Sequence, residues 1–161
     1  MEKQQQVLDF LNGLQIPFFR VEHPAAYIME DIIAFGVTQH GHVCKNLFLR
    51  DAKGKRHFLV SLRGDKHADL KRLSAALDTR LSFASEQRLQ QHLCLQKGEV
   101  SPLAVLFNSD CAVEVFLDLD LADLPQIGVH PGVNTATVFL SFPDLQAAVR
   151  AAGNPVTVLP L

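Results

Sequence analysis

Val43-Cys44-Lys45-Asn46-Leu47-Phe48-Leu49-Arg50-Asp51 runs into the turn Ala52-Lys53-Gly54-Lys55 and returns as His57-Phe58-Leu59-Val60-Ser61-Leu62. Two apolar runs of strand length, separated by a short glycine-bearing turn, predict an antiparallel hairpin. A cation and an amide, Lys45 and Asn46, stand at the mouth of the first strand, and no carboxylate follows until Asp51. An ammonium held on a rigid element without a partner nearby in sequence suits an anionic ligand. The plain alternative is a surface lysine at a strand end.

Outward from the hairpin, strands and helices alternate. Val7, Phe10, Leu11 and Leu14 predict a helix over 3–14, and Ile16 to Val21 a strand. Ile28, Ile32 and Phe35 predict a short helix ended by Gly36. Asp65 is the expected cap of a helix over 66–77, and Ser85 opens another that ends near Leu95. Leu81–Ala84, Leu103–Phe107, Val113–Leu117, Thr135–Leu140 and Val156–Leu159 read as strands, and Pro143-Asp144 starts a helix closed by Gly153. Hairpins together with crossovers imply an α/β fold, a mixed and mostly antiparallel sheet with helices packed around it, in one unit spanning 1–161.

Composition narrows the function. The chain is 48% hydrophobic and 20% charged over 161 residues, enough to build a core without staples. No apolar run reaches the ~20 residues of a membrane span. The polar first six residues lack the layout of a signal peptide, and Cys44, Cys94 and Cys111 form no CxxC pair. These features point to a cytoplasmic protein with reduced thiols and no membrane partner. A net charge of −2 argues against binding that rests on phosphate neutralisation alone, and no DNA partner is expected. Cations are local instead: Lys53, Lys55 and Arg56 at the hairpin, then Lys66, Lys71, Arg72 and Arg80.

Three further groupings can carry chemistry. Gly98-Glu99-Val100-Ser101-Pro102 is a turn in which glycine permits close approach of backbone to a ligand, or simply a helix cap. Ser101 lies in no G-x-S-x-G elbow, so it reads as a positioning residue rather than a nucleophile. Gly128-Val129-His130-Pro131-Gly132-Val133-Asn134-Thr135 holds His130 in a sharp loop, where a histidine is either structural or a wall of a site. Asp110 is a weaker polar candidate in the turn Asn108-Ser109-Asp110. His40, His42 and Cys44 alternate on one strand face, but structural zinc spacing is missing, so no metal and no cofactor is expected. Cys44 has no signalled base and reads as packing. Ile28, Met29, Ile32, Ile33 and Phe35 read as core, with a pocket wall as the alternative.

Taken together, Lys45-Asn46-Leu47-Phe48-Leu49, Ser82-Phe83-Ala84-Ser85, Gly98-xxx-Ser101-Pro102 and His130-Pro131-Gly132-Val133-Asn134-Thr135 resemble the YbaK/ProX family of aminoacyl-tRNA editing domains. The resemblance is greatest to its free-standing branch, which is similar to the insertion domain of prolyl-tRNA synthetase. It implies an aminoacyl-tRNA deacylase acting in trans on the acceptor end of tRNA(Pro), with alanine as the amino acid removed and prolyl-tRNA synthetase as a further partner. It implies that Lys45 grips the phosphate end of the terminal adenosine, that the Gly98 loop steadies the reacting groups, and that His130 lies beside the aminoacyl moiety. Asn46, Ile32, Ser101, Pro102, Asn134 and Thr135 are the implied substrate-binding residues. The alternatives are a Cys-tRNA(Pro) deacylase, a non-catalytic module that binds aminoacyl-tRNA or a synthetase, and a metal or redox sensor on the His40/His42/Cys44 face.

Overall fold

The central strand of the molecule is the return arm of the predicted hairpin. The computed structural model describes residues 2–161. Lys45–Asp51 (β3) and His57–Leu62 (β4) pair antiparallel, with Lys45 opposite Leu62 and Asn46 opposite Ser61. All six residues of β4 are buried. Leu59 packs into one core cluster while Phe58 and Val60 pack into another on the opposite face. A strand covered on both faces has no polar side to alternate with, which explains the near-continuous apolar run.

Around this pair a five-stranded sheet has the order β5-β3-β4-β6-β9. The added strands are Leu81–Phe83 (β5), Glu114–Asp118 (β6) and Val156–Leu159 (β9). Strands β6 and β9 run parallel to β4, each reached by a crossover. A second sheet of four strands has the order β1-β8-β7-β2. It comprises Phe19–Glu22 (β1), His42–Val43 (β2), Ile127–Val129 (β7) and Ala136–Leu140 (β8). Antiparallel pairing joins β1 to β8 and β8 to β7, while β2 and β7 are parallel. The fold is thus mixed α/β, with two sheets where a single one was expected.

The two sheets meet at Cys44. Val43 pairs with Gly128 in the smaller sheet, the Cys44 N–H donates to the Gly128 carbonyl at 3.0 Å, and Lys45 opens β3 in the larger sheet. The strand expected over 43–51 is therefore divided, and Lys45 stands at the corner between sheets. The main core lies between them and includes Leu59, Leu117, Ile127, Val138 and Leu140. Burying side chains of this size contributes roughly 1.5–3 kcal/mol each.

Among the described residues five α-helices surround the sheets: Lys3–Gly13 (α1), Met29–Ala34 (α2), Leu70–Leu77 (α3), Glu86–Leu93 (α4) and Phe142–Ala152 (α5). Two caps are as expected. The Ser85 hydroxyl accepts from Arg88 N–H at 3.2 Å, and α5 ends at Gly153 with φ +101°. Three expectations change. Helix α3 starts at Leu70 under Asp69, whose carboxylate accepts from Lys71 and Arg72 N–H; Asp65 pairs with Arg63 at 3.2 Å instead. Pro102–Phe107 is a 3-10 helix, not a strand, because Ser101 caps it and Pro102 occupies its first turn. Strand β1 begins at Phe19 rather than Ile16, beyond Gln15 at φ +58° and Pro17, which has no N–H to donate.

Helix α4 is clamped to the hairpin by rings and a guanidinium. Phe48 stacks on His57 with centroids 5.6 Å apart, His92 lies 4.0 Å from His57, and Arg88 Nη1 meets His57 Nε2 at 3.1 Å. Burial, then His92, Arg88 and Arg50, push the His57 imidazole down to about 4, against a smaller pull from Asp51. Unfolded, the same group protonates near 6.5. Between those values the unfolded chain binds the extra proton, so stability falls as pH drops from about 6.5 to about 4 and levels off below. Burial lowers His42 and His130 in the same sense. Urea unfolding across this range should show a shallower acid slope for His57→Gln than for the wild type; an identical slope would remove His57 from the account.

Candidate active site

Lys45 opens onto a cavity of about 380 Å³ at the corner between the sheets. Its walls come from four segments far apart in sequence: Ala26 to Ile32, Val43 to Asn46, Gly98 with Val100, and His130. The volume is that of a small-molecule site. Lys45, Asn46, Gly98, His130 and Ile32, all expected site residues, converge here. Ser101 and Pro102 do not. Ser101 is fully buried with its hydroxyl accepting from Leu103 N–H, and Pro102 is buried beside it, so both support the wall from behind. The carbonyls of Asn134 and Thr135 accept from Ala26 N–H and His23 N–H, each at 3.0 Å, and the Asn134 side-chain amide lies against Gly98, where a Cβ would be 3.3 Å from its Nδ2. Asp110 is a turn residue that accepts from Ala112 N–H at 3.1 Å.

The Lys45 ammonium donates to the backbone carbonyl of Lys66, and among the described residues it forms no ion pair with a carboxylate. Two of its three N–H bonds remain for a ligand. The accepting carbonyl is itself fixed. Lys66 Nζ bridges Asp118 and Asp120, each at 2.8 Å. Asp118 is fully buried and also accepts from Arg63 N–H at 3.1 Å and Asp120 N–H at 3.2 Å. Burial pushes the Asp118 carboxyl up, but the Lys66 ammonium and these N–H groups outweigh it and hold it below its ordinary value. One further tie holds this loop against β2: Gly64 N–H donates to His42 Nε2 at 2.7 Å.

Beside Lys45, the Asn46 side-chain oxygen accepts from the buried Ser61 hydroxyl at 2.6 Å, which leaves the amide hydrogens as donors. Across the cavity, His130 Nδ1 is 2.8 Å from the Ala136 carbonyl. A carbonyl only accepts, so Nδ1 carries the proton and Nε2 presents a lone pair. Burial lowers the imidazole pKa, the Ala136 bond raises it, and His23 lowers it again; the net shift is down and the ring is neutral near pH 7. Gly98 has φ +86°, and a Cβ there would lie 2.9 Å from Tyr27 Cδ1 and 3.2 Å from the Ala26 carbonyl. Only glycine fits this approach. Next to it, Glu99 receives Lys3 Nζ at 2.9 Å and ties the loop to α1.

Cys44 also lines the cavity, yet burial and then Asp118 push its thiol up to about 12, so it is a protonated packing group. The alternating His40, His42 and Cys44 are used separately. His40 packs on Phe19 and Phe139, His42 holds Gly64, and Cys44 faces the core. Among the described residues no three His, Cys, Asp or Glu side chains are grouped to hold a metal. Among the described residues no helix is long and apolar enough to cross a membrane. The site thus offers an ammonium, an amide, a neutral imidazole and a close-approach glycine around an apolar floor of Ile32 and Val43.

Gly64, Lys66, Asp118 and Tyr27 were missed in the sequence reading. Their partners are distant in the chain: Asp118 is 55 residues from Arg63, and no local pattern marks such a contact.

Comparisons with known proteins show the family of the chain. Residues 23–148 match the family model described as the aminoacyl-tRNA editing domain. The chain is 42% identical over 162 residues to the prolyl-tRNA editing protein ProX of Acetoanaerobium sticklandii, covering 100% of this chain and 99% of that protein. It is 33% identical to the prolyl-tRNA synthetase associated domain-containing protein 1 of Danio rerio, covering 90% of this chain and 80% of that one. A crystal structure described as a candidate trans-editing enzyme for prolyl tRNA synthetase shares the fold, with a TM-score of 0.70 at 21% identity over 100% of this chain and 98% of that one. With the match extending over most of its length, the chain belongs to the family of aminoacyl-tRNA editing domains.

Proposed function

We propose that this editing domain hydrolyses, in trans, the ester joining alanine to the 3′ end of mischarged tRNA(Pro), with the tRNA acceptor end as its partner. The observation that carries the reading is the convergence of Lys45, Asn46, Gly98 and His130 on one cavity with an apolar floor. Lys45 binds the phosphate of the terminal adenosine as a point charge. The Gly98 backbone lies against the ester, and the Asn46 amide donates to oxygen where negative charge develops. Water adds to the ester carbonyl, the bond to the ribose oxygen breaks, that oxygen takes a proton, and alanine leaves as its carboxylate. The substrate's own neighbouring hydroxyl assists in positioning the water, which makes the reaction specific to RNA esters. His130 Nε2, as an acceptor, holds the amino group of the substrate.

Ile32 and Val43 close the far side of the cavity against larger side chains. Steric exclusion is the available device, because an apolar pocket separates side chains differing by one methylene by only ~1–3 kcal/mol. The relatives named for prolyl-tRNA editing and for a prolyl-tRNA synthetase associated domain support tRNA(Pro) and a working association with that synthetase.

The test is deacylation of Ala-, Cys- and Pro-tRNA(Pro) under single-turnover conditions. Rapid loss of alanine, with proline retained, is expected. Preferential loss of cysteine would reassign the amino acid. Hydrolysis of none of the three would leave a binding module in place of a catalyst.

A further inference from the structure

Two hollows continue away from the cavity on either side of the exposed ridge of α4. The first, about 410 Å³, begins at Tyr27, which also lines the cavity, and passes Gln87, Gln90 and Lys97. The second, about 440 Å³, begins at the same Gln87 and ends at Lys55, Arg88 and His92. Tyr27 is 57% exposed at the junction of cavity and furrow, so its ring is open for stacking.

Among the described residues, the far end carries positive charge that no carboxylate pairs with. Arg88 donates to the Gly54 carbonyl at 2.9 Å and meets His57 Nε2 at 3.1 Å. Arg50 donates to the carbonyls of Asp51 and Ala52. All four acceptors are neutral, since His57 titrates only near pH 4. Among the described residues neither guanidinium, nor Lys55, forms an ion pair with a carboxylate. The nearby acids are engaged: Asp51 accepts from Lys55 and Arg56 N–H, and Glu114 is bidentate with Arg56. Glu86 is the one acid on the furrow, and it lines the first hollow only. A half-buried guanidinium facing a polar hollow without a counter-charge matches the planar, multidentate demand of a phosphate.

We propose that this furrow carries the single-stranded 3′ end of the RNA substrate, with a base stacked on Tyr27 and a phosphodiester held by Arg88 and Lys55. The inference rests on the editing function proposed above and names the path by which the RNA leaves the cavity. A helix with its side chains is about 10–12 Å across, a span that a short run of single-stranded nucleotides bridges. An aromatic platform followed by a cationic groove is how single strands are bound without reading sequence. The glutamines between supply hydrogen bonds of the kind that position a backbone.

Lys55→Glu is the variant of choice, because the Lys55 side chain is exposed and only its backbone is bonded within the chain. Deacylation of Ala-tRNA(Pro) should fall about tenfold in kcat/KM, and the slope of its logarithm against log salt should shrink by about one phosphate. Alanyl-adenosine, too short to reach the second hollow, should be hydrolysed at the wild-type rate. An unchanged rate on tRNA, or equal losses on both substrates, would overturn the furrow. Should the wild type hydrolyse neither substrate, the editing function fails, and binding of uncharged tRNA decides the furrow by itself. Weaker binding by Lys55→Glu with a smaller salt slope would sustain the path; an unchanged Kd would overturn it.

Discussion

Lys45→Met should abolish most deacylation while leaving the fold intact. The substitution keeps the length and apolar stem of the side chain and removes only the charge and its donors. Among the described residues the wild-type ammonium has one acceptor, the Lys66 carbonyl, and no carboxylate partner that its loss would strand. The cost to stability is that of one exchangeable hydrogen bond, about 1 kcal/mol. The cost to function is larger, because a charged hydrogen bond to a phosphate is worth about 1.5–3 kcal/mol, and each 1.4 kcal/mol is tenfold in rate. The expected loss in kcat/KM is therefore ten- to a hundredfold or more, with a melting temperature close to that of the wild type. Single-turnover measurements separate two roles. A rise in KM with kcat preserved makes Lys45 an anchor of bound substrate; a fall in kcat makes it a group that acts in the transition state. Retention of full activity would remove Lys45 from the site.

That experiment is possible because Lys45 was legible in the sequence, and the reasons bear on what was not. The hairpin could be read because both its arms and its turn are local: apolar runs of strand length around Lys53-Gly54 leave few other solutions. Helix α5 was equally clear from Pro143 in its first turn and Gly153 at its end. The transfer between sheets at Cys44 left no mark, since Val43 and Lys45 flank a single residue in an otherwise uninterrupted strand pattern. Pro102–Phe107 misled because Leu103 to Phe107 are strand formers by type, whereas Ser101 and Pro102 decide the local geometry.

The site divides along the same line. Lys45, Gly98 and His130 stood out as motifs in combination, and the fold brings them together. What holds Lys45 in place did not stand out. The support runs from Asp118 to Lys66 across 52 residues, then through a backbone carbonyl that carries no residue identity. A sequence displays the groups that face a ligand more readily than those that stand behind them, because the latter are chosen by contacts closed late in the chain. Gly64 is the sharpest instance, since its importance lies in contacts with His42 and Val43 that no local pattern marks.

Gly64→Ala should be the most damaging single methyl group that can be added near the site. A Cβ at this position would lie 2.2 Å from the Val43 carbonyl oxygen, a backbone atom that cannot rotate away, and 3.3 Å from His42 Nε2. Backbone conformation is not the objection, since φ lies outside the left-handed region that L side chains avoid; the effect is a collision. Relief requires the 63–66 loop to move off β2, which breaks the Gly64 N–H bond to His42. Overpacking of this kind costs about 1–3 kcal/mol, and the lost buried hydrogen bond about 1 kcal/mol more. At about 2–4 °C per kcal/mol for a chain of this size, the melting temperature should drop by roughly 5–15 °C. The same displacement carries away the Lys66 carbonyl that receives Lys45, so deacylation should fall more than the loss of folded protein explains. Assays well below the variant's melting temperature separate the two effects. A loss of kcat/KM there that disappears when Gly64→Ala is combined with Lys45→Met means that the loop acts through Lys45; additive losses would give the loop a route to activity independent of Lys45, and no loss there would leave it a contribution to stability alone.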